Sequence, residues 1–206
     1  MPRITDLKAR EVLDSRGFPT VEVELIVEGR YYSRAAVPSG ASTGQFEALE
    51  KRDGDPRRFA GKGVLSVVDS IYSTIRPALL TRSCLDQNGL DALLCELDGT
   101  PNKSRLGANA LLAVSLAVAR AGAKVTHQTI YGYLSRFYRA PRKGLLPVPY
   151  VNVLNGGKHA DNHLDIQEFM LVPRGQDRFS EALRVCCEIL YALKALCQEK
   201  GFSTNV

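Results

Sequence analysis

Val21-Glu22-Val23-Glu24-Leu25 alternates apolar and acidic residues, and Glu28-Gly29-Arg30 and the run from Tyr31 to Val37 follow it. Strict alternation marks a strand with one buried and one wet face. The Glu-Gly-Arg break reads as a hairpin turn, with Tyr31 to Val37 as the partner strand. Ile4 to Leu13 adds a third strand, and an antiparallel meander is the economical arrangement.

Further along the chain the periodicity changes. A helix-like segment begins near Phe46. Val64 to Leu80 carries Leu65, Val68, Ile71, Tyr72 and Ile75 close to a 3.6 spacing, which predicts an amphipathic helix. Cys84 to Leu97 predicts a second helix, stopped by Asp98-Gly99. Asn109 to Ala123 is rich in Ala, Leu and Val on nearly every side, as a buried helix is, and Tyr131 to Tyr138 closes the block with a short one. Arg139 to Pro149 combines prolines, Gly144 and basic residues, which makes it the best candidate boundary between domains at 1–140 and 141–206.

Beyond that boundary come two apolar runs, Val148 to Leu154 and Glu168 to Val172, and a long amphipathic helix from Phe179 to Lys200. Near-continuous apolar strands suit a sheet covered on both faces, as in a barrel wrapped by helices. Two strands and one helix cannot close a barrel. The predicted fold class is therefore an α+β domain, a three-stranded antiparallel meander plus helices, followed by the first β, β and α elements of an incomplete α/β barrel.

Composition excludes several classes. Hydrophobic content of 45% and charged content of 24% are those of an ordinary globular protein. No run approaches the roughly 18 apolar residues of a membrane span, and no charged-then-apolar leader opens the chain, which argues for a cytoplasmic protein. The net charge of +5 is scattered except at Arg136, Arg139, Arg142 and Lys143. An anionic small substrate explains it as well as nucleic acid does, and no nucleic-acid partner is expected. The five cysteines form no Cys-x-x-Cys pair and read as reduced, structural thiols. Zinc-ligand spacing is missing from the three histidines.

Three places could carry chemistry. Val37-Pro38-Ser39-Gly40-Ala41-Ser42-Thr43-Gly44 is a supple loop whose backbone can approach an anion or metal, although a flexible linker has the same composition. It is neither a Walker loop nor a Gly-x-Gly-x-x-Gly fingerprint. Asn155-Gly156-Gly157-Lys158-His159-Ala160-Asp161-Asn162 ends a strand, where barrels place reactive residues. A surface turn with an incidental histidine is its plainer reading. Gln167-Glu168 opens the next apolar run, and a lone Glu there is commonly a capping or solvated carboxylate.

Taken together, these motifs resemble enolase. The resemblance lies in Asp14-Ser15-Arg16-Gly17 with Pro19-Thr20-Val21-Glu22-Val23, in the loop at 37–44, and in Glu47-Ala48-Leu49-Glu50 with Arg52-Asp53-Gly54-Asp55. It continues through Gly61-Lys62-Gly63-Val64, Leu97-Asp98-Gly99-Thr100 with Asn102-Lys103, Leu106-Gly107-Ala108-Asn109-Ala110, Asn152-Val153-Leu154-Asn155-Gly156-Gly157 and Gln167-Glu168-Phe169-Met170. The matches are collinear from about Ala9 to the end of the chain, and several multi-residue motifs in order are highly specific.

The resemblance implies the N-terminal portion of an enolase and, after the α+β domain, the opening of an enolase-type barrel. It implies a hydro-lyase of glycolysis that interconverts 2-phosphoglycerate and phosphoenolpyruvate, with a lysine base and two Mg²⁺ ions stabilising the enediolate. Carried over residue by residue, Ser39, Gly40, Ala41, Ser42, Thr43 and Gly44 match a lid loop, with Ser42 the ligand of the second Mg²⁺ on closure. His159 matches a substrate-site histidine that steadies charge near the phosphate or leaving group. Gln167 and Glu168 match substrate-site residues, Glu168 in the network on the acid side. A homodimer is implied for the full-length family.

In the family, a Gly-Asp-Glu-Gly-Gly stretch with the acid glutamate follows a segment like Thr204-Asn205-Val206, and the lysine base and three metal carboxylates come later. The chain is thus expected to be inactive alone, without tight Mg²⁺ binding. The rival reading is a naturally truncated, non-catalytic enolase-like binding or interaction protein. A racemase or cycloisomerase of the superfamily is weaker, because Ser-Gly-Ala-Ser-Thr-Gly and Gln-Glu-Phe-Met look like enolase proper. Phe18 departs from the common Asn, and Lys158 and Asp161 depart from small or neutral residues. Lys158 and Asp161 could pair with each other, or could mark relaxed selection.

Overall fold

The alternation at Val21–Leu25 becomes the middle strand of a sheet in the computed structural model, which describes residues 1–40, 44–138, 144–157 and 164–202. Ile4–Leu13 (β1), Pro19–Val27 (β2) and Tyr31–Ala36 (β3) pair antiparallel in the order β1-β2-β3. The register sets Leu7 opposite Leu25, Ala9 opposite Val23, and Val23 opposite Ala35. All of these are buried. On the other face Arg10 reaches Glu22 at 3.5 Å and Glu24 at 3.4 Å, and Arg34 reaches Glu22 at 3.4 Å. Surface pairs of this kind add at most about 1 kcal/mol, so the apolar face holds the sheet. The hairpin closes with the Arg30 N–H donating to the Val27 carbonyl at 3.1 Å. Glu28 and Gly29 have φ of 52° and 65°, the signs of a type I′ turn that matches strand twist.

The first helical rod runs through Leu65–Ser70 (α1), a π-helical turn at Ile71–Ile75, and Arg76–Leu79 (α2). In the widened turn the Arg76 N–H bonds to the Ile71 carbonyl, just before Pro77, which cannot donate to the ladder. The buried stripe is Val67, Val68, Ile71, Ile75 and Leu79. Leu65 and Tyr72, expected on it, are 46% and 42% exposed. Tyr72 is kept for its polar end, since its hydroxyl donates to the Ala9 carbonyl at 3.1 Å.

Gln87–Asp98 (α3) starts later than the periodicity predicts because Asp86 caps it, accepting from the Gly89 N–H at 3.1 Å. Ala108–Val125 (α4) is not apolar all round. Ala110, Ala113, Val114, Ala117 and Ala121 are buried, whereas Leu112 and Leu116 are 45% and 37% exposed. Its alanines allow close approach to the sheet, where the Ser33 hydroxyl donates to the Ala117 carbonyl at 2.8 Å. Arg120 and Lys124 donate to the Arg34 and Tyr32 carbonyls, so side chains cover the open edge of β3. By length and composition α4 could cross a membrane, contrary to the sequence expectation, and its burial in the core accounts for that composition. Ile130–Leu134 (α5) is shorter than expected and is capped by Thr129. No helix forms near Phe46, which is 95% exposed. The backbone there bonds to a neighbouring loop instead, Leu49 N–H to the Asn102 carbonyl at 2.7 Å and Ala108 N–H to the Leu49 carbonyl at 2.8 Å.

These elements belong to a unit spanning Met1–Ala140; Pro141–Val206 forms a second. In the second unit Val151–Asn155 (β4) pairs antiparallel with Glu168–Leu171 (β5), and Phe179–Glu199 (α6) follows. These are the first β, β and α elements of an α/β barrel that two strands do not close. Their apolar faces are largely uncovered: Leu154, Phe169, Met170, Leu183 and Ile189 are all exposed, and Ala182 and Cys186 are the buried residues of α6. All five cysteines are free.

Gly122 of α4 touches the buried Tyr133 of α5 so closely that an added Cβ would lie 2.3 Å from the ring. Gly122→Ala should therefore destabilise the fold by about 1–3 kcal/mol in chemical denaturation. The Tyr133 hydroxyl is buried with no hydrogen-bond partner among the described residues, so Tyr133→Phe should be neutral or stabilising by about 1 kcal/mol in the same assay.

Candidate functional site

Asp14 builds the turn after β1. Its carboxylate accepts from the Arg16 and Phe18 N–H groups at 2.9 and 2.8 Å, and its pKa is held below the ordinary value first by the Phe18 hydrogen bond. The turn aims Arg16 at the loop that follows β3, where the guanidinium donates to the Ser39 carbonyl at 2.8 Å. Arg52 meets the same residue from the other side, donating to the Ser39 hydroxyl at 3.0 Å and also to the Pro19 and Lys62 carbonyls at 2.6 and 2.8 Å. Glu50 receives both Arg52, at 2.5 Å, and the Ser39 hydroxyl, at 3.2 Å. The turn that carries Arg16 and the segment from Glu50 to Arg52 thus converge on Ser39, and Arg52 is itself tied to the Pro19 and Lys62 carbonyls.

A second charged brace fixes the segment that carries Arg52. Glu11 accepts two guanidinium N–H groups of Arg58 and the Val64 N–H, and the Arg58 hydrogen bonds hold its carboxyl below the usual range. Asp53 accepts from the Leu65 and Ser66 N–H groups at 2.9 Å each and from the Ser66 hydroxyl at 2.6 Å. It caps α1 from a distant loop. Burial pushes its pKa up, but the hydrogen bonds from Ser66 and Leu65 outweigh it and leave the carboxyl lowered. Asp98, 1% exposed, likewise stays low: burial raises it, and the Leu106 N–H and Thr100 donors more than compensate.

In the second unit the antiparallel register sets Asn155 opposite Glu168. The Gly156 N–H donates to the Gln167 carbonyl at 2.9 Å, and the Gly157 N–H to the Leu164 carbonyl at 2.7 Å. Gly156 is required by proximity, since a Cβ would lie 2.4 Å from the Ile166 carbonyl oxygen and 2.6 Å from Leu164. Glu168 is half-buried and Gln167 exposed. Two of the motifs singled out in the sequence, Asn155-Gly156-Gly157 and Gln167-Glu168, therefore meet at one strand end.

Of the other expected site residues, Ser39, Gly40 and Gly44 are described, while Ala41, Ser42, Thr43, Lys158, His159 and Asp161 lie outside the described residues. Among the described residues no group of three or more His, Cys, Asp or Glu side chains converges as a metal site. The described residues therefore do not fit a tight Mg²⁺ cage, which needs several oxygen ligands. Sequence reasoning gave no role to Arg16, Glu50 and Arg52 as anchors of Ser39. They sat inside quoted motifs, and the signal was their charge beside a Ser-Gly loop.

Two family models match the chain: the enolase N-terminal domain over residues 4–134, and the enolase C-terminal TIM barrel domain over residues 143–206.

The lowered carboxylates of Glu11, Asp53 and Asp98 give the first unit a specific pH dependence. A carboxylate whose folded pKa lies below its unfolded value stabilises fully above about pH 4 and loses that contribution as pH falls through the folded value. Stability followed by circular dichroism should drop as pH falls below about 4. Glu11→Gln should lower stability at neutral pH and flatten that acid limb.

Proposed function

The chain belongs to the enolase family, and we propose from that membership that it serves the reversible dehydration of 2-phospho-D-glycerate to phosphoenolpyruvate, a lyase reaction of cytoplasmic glycolysis. The observation that carries the reading is the meeting of Asn155-Gly156 with Gln167-Glu168 at the end of β4 and β5. In this reaction a proton leaves the carbon beside a carboxylate and a hydroxyl departs from the next carbon. Charge accumulates on the carboxylate side, and the departing hydroxyl needs a proton.

Glu168 is proposed for the acid side, holding or relaying the proton that the leaving hydroxyl takes up. The Gln167 side chain would orient the substrate through its amide. His159 would steady the phosphate or leaving group, and Ser42, in a lid formed by Ser39 to Gly44, would become a ligand of the second Mg²⁺ when that loop closes; both assignments rest on the motif match alone. When bound, Mg²⁺ supplies Lewis-acid stabilisation of the enediolate. The chain by itself is proposed to be inactive. In a complete enzyme a homodimer is proposed.

Incubated with 2-phosphoglycerate and Mg²⁺, the purified chain should form no phosphoenolpyruvate above a boiled control. Measurable formation would remove the claim of inactivity. Fused to the remaining barrel of an enolase, residues 1–206 should support turnover, and Glu168→Gln in that fusion should lower kcat by about 10²–10⁴-fold. A folded fusion without turnover would overturn the proposed reaction, and full activity of the Gln variant would remove Glu168 from it.

A further inference from the structure

Phe18 lies in the turn between β1 and β2, and its surroundings give it a task. The ring has the Lys62 ammonium 3.8 Å from its centroid and the Arg16 guanidinium 5.7 Å away. These two cations lie at the two arms that hold Ser39. Arg16 donates to the Ser39 carbonyl at 2.8 Å. Lys62 offers its own carbonyl to Arg52 at 2.8 Å, and Arg52 in turn donates to the Ser39 hydroxyl at 3.0 Å. One aromatic ring thus touches the beginning of both routes to the same serine.

The physical need is clear from the exposure of the parts. Arg16 and Lys62 are exposed, and a long cation held in one rotamer loses freedom that a single wet hydrogen bond hardly offsets. An aromatic face that attracts both cations supplies a second restraint on each. Asp14 adds the third part: its carboxylate binds the N–H groups of both Arg16 and Phe18, so ring and guanidinium leave the same turn in a fixed relation. An amide side chain at position 18 has no π face, so Arg16 would keep only its exposed pairing with Asp14 at 3.4 Å and its bond to Ser39, and the Lys62 ammonium would lose the ring.

We propose that Phe18 is a positioning residue: its ring restrains Arg16 and Lys62, and through them fixes both the carbonyl and the hydroxyl of Ser39, where the Ser39–Gly44 stretch begins. That the stretch serves a substrate site rests on the reading given under Proposed function; the restraint itself does not.

Nuclear magnetic resonance on the isotopically labelled 206-residue chain tests it. The Lys62 ε-methylene protons should be shifted upfield by the ring in the wild type and return to the free-lysine position in Phe18→Asn and Phe18→Leu. In both variants the Ser39 amide order parameter should fall from the rigid range, about 0.85, toward the flexible range below about 0.6. Phe18→Tyr should restore both signals, which separates the ring from mere bulk. Lys62→Met, which keeps the stem and removes the charge, should loosen Ser39 in part. An unshifted Lys62 signal in the wild type, or an unchanged Ser39 order parameter in Phe18→Asn, would overturn the proposal. None of these readouts passes through 2-phosphoglycerate, so failure here and failure of the proposed reaction are separately visible.

Discussion

The first unit depends on one constraint, the burial of a single face of a three-stranded meander beneath a helix thin enough to lie close to it. Leu7, Val23, Leu25 and Ala35 form that face, and the alanines of α4 are small enough for the Ser33 hydroxyl to reach the Ala117 carbonyl at 2.8 Å. Because strand side chains alternate, a one-residue slip would turn Glu22 and Glu24 into the core. The register is therefore fixed by solvation of charge as much as by packing. Everything that positions Ser39 follows from it: Asp14 builds the turn after β1, Pro19 opens β2, and the loop leaves β3.

Around this core, charged groups join loops that the apolar face cannot reach. Glu11 with Arg58, Asp53 at the start of α1 and Arg52 at Ser39 each join segments far apart in sequence. Their hydrogen bonds are directional, so they set the orientation of the loops more than they add to stability. The root of the loop after β3 is held at Ser39 by two chain segments, through Arg16 on one side and Glu50 with Arg52 on the other.

Much of the fold was legible in the sequence because the signals were local. The period-two pattern at Val21–Leu25 and the turn at Glu28–Arg30 require no knowledge of the rest of the chain. What escaped was tertiary. Leu65 and Tyr72 fit the helical period, yet Tyr72 faces outward so that its hydroxyl can bond to Ala9. The segment after Phe46 has helix-forming residues, but its backbone bonds are used by Asn102 and Ala108. At the candidate site, the Ser-Gly loop, Gln167 and Glu168 stood out by motif. The anchors Arg16, Glu50 and Arg52 did not, because their contacts with Ser39 span 23, 11 and 13 residues of sequence.

The two units differ in how well their apolar faces are covered. In the first, α4 closes the sheet; in the second, Leu154, Phe169 and Met170 on the strands and Leu183 and Ile189 on α6 remain exposed. Glu168 therefore stands on a strand whose apolar side chains are left exposed, with Gln167 just before it. Residue-resolved amide hydrogen exchange on the whole chain tests this most directly. The account predicts that amides of β1, β2, β3 and α4 exchange only with opening of the first unit as a whole, far more slowly than those of β4, β5 and α6. Equal protection across both sets would contradict it.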